Sequence, residues 1–111
     1  IIIGSNENDM SYAVNELKKS QGGIIVVKNG KTLASLPFQM AGIMSTDPIN
    51  KVTANFEKIN NLLVDSGCHF KKPHLIPLFL PFLALPNIRI LYSGIVDIKS
   101  RKFISTIKPK I

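Results

Sequence analysis

Apolar residues recur at helical spacing in two stretches of the chain and in continuous or alternating runs elsewhere, and these periods lay out its elements. Ile1-Ile2-Ile3 is a continuous β-branched run, the pattern of a strand buried on both faces. Gly4-Ser5-Asn6 then turns the chain, and Asn6 or Asn8 is placed to cap a helix. In that helix Met10, Ala13, Val14 and Leu17 share a face, Glu7 and Asp9 occupy the first turn, and Lys18 and Lys19 the last, so both ends suit the helix dipole. Gly22-Gly23 ends it. A second strand, Gly23 to Lys28, meets a third, Lys31 to Leu36, across Asn29-Gly30, the strongest short hairpin signal.

From Pro37 to Thr46 the chain is irregular yet too apolar for an ordinary solvated loop. Asp47-Pro48 reads as a helix start, a capping carboxylate followed by proline at the first helical position. Ile49, Val52, Phe56, Ile59, Leu63 and Val64 then lie on one helical face until Ser66-Gly67. The prolines of residues 74–86 predict short extended pieces and turns with at most one helical turn, packed on the core. Residues 89–91 are expected to be extended, Tyr92-Ser93-Gly94 to turn, and Ile95–Ile98 and Phe103–Ile107 to pair across residues 99–102. The order predicts an α/β (or α+β) fold, a mixed sheet with two main helices, in a single small domain over residues 1–111.

A length of 111 residues suits one domain, and 45% apolar against 19% charged residues argues for a folded core over disorder. The run at residues 74–86 is shorter than the ~20 residues of a membrane helix, and Pro77 and Pro81 would break one, so it reads as core or interface and no membrane partner is expected. The start shows no signal-peptide pattern. Ile1-Ile2-Ile3-Gly4 begins within an apolar run with no polar lead-in, which leads us to expect a piece of a longer protein. Cys68 is the only cysteine, so no internal disulfide forms, and a buried or half-buried thiol in a reducing cytoplasm is expected.

The net charge of +7 is unevenly placed: residues 1–70 carry six lysines and six carboxylates, and residues 71–111 carry eight Lys or Arg against Asp97 alone. A basic end suits an anionic ligand, nucleic acid or an acidic protein face. Only Tyr92 and Phe103 interleave the basic residues, and no nucleic-acid motif is present, which argues against nucleic acid. Two histidines, one cysteine and seven carboxylates make a thin catalytic inventory. Cys68-His69 with His74 lacks the paired spacing of a zinc motif, so no metal or cofactor site is expected within the chain. Gly4-Ser5-Asn6 lacks a phosphate-loop pattern, and Glu7 and Asp9 would repel phosphate there. The segment whose composition stands out is Met40-Ala41-Gly42-Ile43-Met44-Ser45. Gly42 permits close backbone approach, Met44 offers adaptable apolar surface, and Ser45 and Asp47 add polar groups before a helix. These four residues are the candidate interface or active-site-facing loop; no catalytic residue is assigned.

Several segments in order resemble the C-terminal domain of bacterial adenine deaminases of the amidohydrolase superfamily. They are Ile3-Gly4-Ser5-Asn6-Glu7-Asn8-Asp9-Met10, Gly22-Gly23-Ile24-Ile25-Val26-Val27-Lys28-Asn29-Gly30-Lys31, Leu36-Pro37 with Ala41-Gly42-Ile43-Met44-Ser45, Phe82-Leu83-Ala84-Leu85-Pro86 and Gly94-Ile95-Val96-Asp97. Gln39, Pro77, Pro81 and the basic end from Lys99 to Lys110 depart from the family pattern. The resemblance implies a parent that hydrolyses adenine to hypoxanthine and ammonia in purine salvage. It also implies a binuclear metal centre (manganese or iron) in an upstream (β/α)₈ barrel that this chain lacks. By the same analogy the protein is cytoplasmic and homo-oligomeric, this domain packs on its own upstream barrel, and the 111-residue chain is an accessory piece inactive alone. A binding module for an anionic ligand or nucleic acid, stand-alone or degenerate, is the alternative.

Overall fold

A helix begins where a side chain can hold its free amide groups, and Asn6 does this here: its Oδ1 accepts the Asp9 N–H at 2.8 Å. The helix it opens, α1 (Glu7–Ser20), ends with Gln21 in the left-handed region at φ 59°. The Gln21 and Gly22 amides donate back to Lys18 O and Leu17 O, which satisfies the last carbonyls. The chain continues as β1 (Gly23–Lys28), β2 (Lys31–Pro37), α2 (Ile49–Asp65), α3 (Leu75–Phe79), β3 (Ile88–Leu91), β4 (Gly94–Asp97) and β5 (Lys102–Ile104). The structure, a computed structural model, describes residues 1–105. The far end of the strand expected over Phe103–Ile107 lies outside them. Two compact units result, residues 2–74 and residues 75 onward together with Ile1.

In the first unit β1 and β2 pair antiparallel, with Asn29 and Gly30 at φ 53° and 68° in the connecting turn. Those two positive angles are what the Asn-Gly pair was selected to supply. The Asp9 carboxylate reaches this turn from α1, accepting the Asn29 N–H at 2.9 Å and the Gly30 N–H at 2.7 Å. Hydrogen bonds from Asn6 and from these amides hold the Asp9 carboxyl below its ordinary value. The register shifts between Val26 and Val27, opposite Leu33, which is 38% exposed. Ala34 and Leu36, on the other face of β2, are buried. Residues 24–27 are all half-buried, at both parities, as fits a strand that meets α1 while its hairpin partner meets α2.

The core of this unit is Ala34, Leu36 and Ile59, with Ile24, Val26, Phe38, Val52, Phe56, Leu62 and Leu63 packed around it. Ile49 and Val64, expected on the buried face of α2, are 79% and 50% exposed, and Leu62 takes a place among the core residues. They sit in the first and last turns of the helix, outside the part that meets the core. Gly67, at φ 96°, ends α2: its N–H donates to Val64 O and that of Cys68 to Leu63 O, a Schellman pair.

Residues 75 onward hold the one-turn α3, then turns, then a three-stranded antiparallel meander in the order β3-β4-β5. Asp97 closes the β4–β5 turn, accepting from the Lys99 N–H and the Ser100 hydroxyl. Leu78, Phe79, Phe82 and Leu83 are each about half exposed, so the apolar run is not core here.

Helices and strands combine as an α/β class requires, but the β structure is divided into two antiparallel sheets where one mixed sheet was expected. β1 and β2 pair only with each other, β3 to β5 likewise, and residues 1–4, expected as a further strand, form none. A strand needs a neighbour for its amides and carbonyls, and no described strand pairs with this run. Ile59 is fully buried against the hairpin. We expect Ile59→Ala to cost about 2–5 kcal/mol, read as a lower urea midpoint at unchanged slope. A midpoint that does not move would show that α2 does not seat there.

Candidate functional site

After β2 the chain is pulled back beneath itself. The Phe38 N–H donates to Gly22 O at 3.2 Å, and Met40 and Met44 exchange backbone hydrogen bonds of 3.0 and 3.2 Å. Between them Ala41 and Gly42 both take positive φ, 53° and 73°, and the Ile43 N–H closes the turn on Met40 O. The turn lies directly on the end of α1. A Cβ on Gly22 would sit 2.6 Å from Gly42 Cα and 2.9 Å from its carbonyl oxygen. Two backbones approach here at a distance that only glycine allows.

Gln39 fixes the descending arm of the loop. Its Oε1 accepts the Thr46 N–H at 3.1 Å and lies 3.4 Å from the Ser45 hydroxyl, while Ser45 Oγ accepts the Asp47 N–H at 3.2 Å. Asp47 does not cap α2. Pro48 occupies the cap position with no side-chain hydrogen bond, and the Asp47 carboxylate instead pairs with Lys51 at 2.9 Å. Proline therefore stands one position earlier than expected, at the cap and not in the first turn, and its carbonyl accepts from the Lys51 and Val52 amides at 3.0 and 3.1 Å.

Of the four candidate residues, Met44, Ser45 and Asp47 come together on one groove, and Gly42 lies apart from it, against Gly22. The groove holds about 330 Å³ and is walled by Phe38, Ile43, Val52 and Phe56 besides, with Ile49 at its edge. Its floor is the outer layer of the core itself. Sequence reasoning assigns no structural role to Gln39, which stands out only as a departure from the family pattern, and reads Gly22-Gly23 as a helix stop and part of the resemblance. No local signal tells that a loop twenty residues on will land there.

Elsewhere the ionisable groups are dispersed. His69 is exposed and Cys68 half-buried. His74 Nδ1 lies 2.7 Å from Asn60 Oδ1, and its ring packs on Phe56 with centroids 4.8 Å apart. Desolvation, then the nearby Lys72 charge, pushes the His74 pKa below its ordinary value. Among the described residues no three His, Cys, Asp or Glu side chains converge as metal ligands would. No described helix is long and apolar enough to cross a membrane.

These residues define a small α/β module with an apolar groove beneath a glycine-anchored loop. Residues 1–102 match the family model for the adenine deaminase C-terminal domain, and the chain belongs to that family. It is 48% identical over 107 residues to an adenine deaminase of Cenarchaeum symbiosum, covering 96% of this chain and 18% of that protein. Adenine deaminases of Dehalococcoides mccartyi and Clostridium botulinum are 36% and 32% identical over 94% and 95% of this chain, and again 18% of each relative is covered. The chain thus spans about a fifth of the length of the curated relatives it matches. The resemblance, first drawn to bacterial enzymes, extends to an archaeal one. No solved structure matches.

Gly22→Ala places a methyl group into the backbone of Gly42 and strains a residue at φ +132°. A loss of about 1–3 kcal/mol is expected, with Gly42 and Ile43 amides shifting in the NMR spectrum; unchanged amides would show that the loop does not rest there. His74 gives a pH signature. A histidine whose folded pKa lies below 6.5 leaves the folded state with fewer bound protons than the unfolded one. Stability therefore falls as pH drops through the unfolded value, and the melting temperature should be lower at pH 5 than at pH 7. His74→Gln should flatten that slope, and an identical slope in the variant would dismiss this account.

Proposed function

We propose that this chain is the C-terminal domain of an adenine deaminase, and that the whole protein hydrolyses adenine with one water to hypoxanthine and ammonia, in purine salvage. The observation that carries this reading is 48% identity over nearly the whole chain to a protein named for that activity. The belonging of the chain to the C-terminal domain family supports it. The role of residues 1–111 within that enzyme is accessory: they fold against the remainder of their own chain and supply none of the reacting groups.

The family's binuclear manganese or iron centre would activate the attacking water. The donors described here do not fit such a centre, because His69, His74, Cys68 and the carboxylates do not converge. On this reading its ligands belong to other parts of the protein. The same reading places the enzyme in the cytoplasm as a homo-oligomer.

The test compares the whole protein with the 111-residue chain, the latter checked for folding by circular dichroism. With adenine and manganese, the whole protein is expected to release ammonia and hypoxanthine, and a chelator is expected to abolish this. The short chain should release neither. Turnover by the short chain would end the accessory reading. An inactive whole protein that binds nucleotides or RNA in a salt-sensitive way would replace the enzyme reading with that of an anion-binding module.

A further inference from the structure

The groove of the first unit opens the core to solvent at a place where that core is already small. Among the described residues the buried core side chains are Ala13, Ala34, Leu36 and Ile59, with Pro73 buried besides. Phe38, Val52 and Phe56 touch this core with one side and form the groove with the other. Around the opening Ile43, Met44 and Ile49 are 70%, 53% and 79% exposed, and Met40, bridged to Met44, is 50% exposed. Other large apolar side chains are exposed singly on this unit, such as Val14, Leu33 and Phe70, but these four surround an opening onto the core, and such a surface is one to be covered.

Two chemistries could cover it, a small molecule or a protein segment. A small-molecule site needs polar groups free to read the ligand. Here they are engaged already: Ser45 Oγ accepts from the Asp47 amide, Asp47 Oδ1 holds Lys51, and Gln39 Oε1 takes the Thr46 amide. What the groove leaves for an occupant is its hydrocarbon wall. That wall suits an apolar protein segment, whereas a purine would find little to read there beyond Asp47 Oδ2.

The length of the missing chain says which segment. Relatives matched along nearly all of these residues are covered to only 18%, and the family is that of a C-terminal domain, so most of such a protein precedes Ile1. We propose that the groove between the 40–47 loop and the first half of α2 is the docking site for an apolar segment of the same polypeptide lying upstream of Ile1. The candidate loop is thereby an intramolecular interface and does not face substrate. Gly22 and Gln39 serve it by holding Ile43 and Met44 at the height where they meet that segment. This rests on the reading that the chain is one domain of a longer protein, not on the substrate of that protein.

The test uses the whole protein with the photo-reactive p-benzoylphenylalanine incorporated at Ile43, followed by proteolysis and mass spectrometry. The expected product joins residue 43 to a peptide of the same chain N-terminal to Ile1. A covalent dimer through residue 43 would assign the groove to a second copy, and a link to a foreign protein would assign it to another partner; either overturns the proposal. As a second measurement, maleimide labelling of Ile43→Cys should be at least about tenfold slower than that of Asn15→Cys on the exposed side of α1. Equal labelling rates without any cross-link would show the groove to be open and overturn it as well. Adenine turnover measured on the same samples separates the two questions, because the cross-link is read whether or not adenine is consumed.

Discussion

A two-stranded hairpin is marginal in water, and here it stands because Ile59 of α2 closes on Ala34 and Leu36 of β2. Everything in the first unit is arranged around that contact. The register of β2 decides that Ala34 and Leu36 face α2, and one step of slippage would turn Leu33 and Ser35 inward instead. The shift opposite Leu33 absorbs a residue beside the turn, which leaves the inward face intact. α2 then needs its apolar stripe only over Val52 to Leu63, and its ends are released to other contacts.

The same contact accounts for the shape of the surface. The hairpin strands, roughly 20–23 Å long, are nearly as long as α2 at roughly 25 Å, but α2 seats its middle on them and its first turn stays outside the contact. Ile49 is left beyond the sheet, the loop before α2 has to bridge the gap, and its methionines and isoleucine make a rim over uncovered core. The glycine pair 22 and 42 lets that rim sit low enough to join the core layer. An apolar opening is thus the result of seating α2 by its middle and leaving its first turn to the loop before it.

Local chemistry was legible in the sequence wherever one element was decided by its neighbours. Asn6 capping, the Asn29-Gly30 turn, the stop at Ser66-Gly67 and the central face of α2 all follow from side chains within a few residues. What escaped depends on partners distant in the chain. Ile1-Ile2-Ile3 has every local mark of a strand, yet strand formation needs another strand, and that is not a property of the run. Asp47 has the mark of a cap, but the proline after it and Lys51 one turn on offer it a different bond. At the candidate loop, composition marked Gly42, Met44, Ser45 and Asp47 as a set. Only coordinates could divide them into a glycine that anchors, polar groups that brace, and a methionine that is presented. Membership of the family came from an ordered set of short segments, none specific alone, and the match over residues 1–102 has the same extent.

The Asp9 carboxylate, held between Asn6 and the amides of Asn29 and Gly30, ties the start of α1 to the tip of the hairpin across about twenty residues. All of its partners lie between residues 6 and 30, so the loop it closes is short and loses little entropy on closure. Seating α2 on β2 requires the chain to span the irregular 38–48 segment first. The helix–hairpin half is therefore the low-contact-order part of this unit, the part whose assembly asks least of the rest.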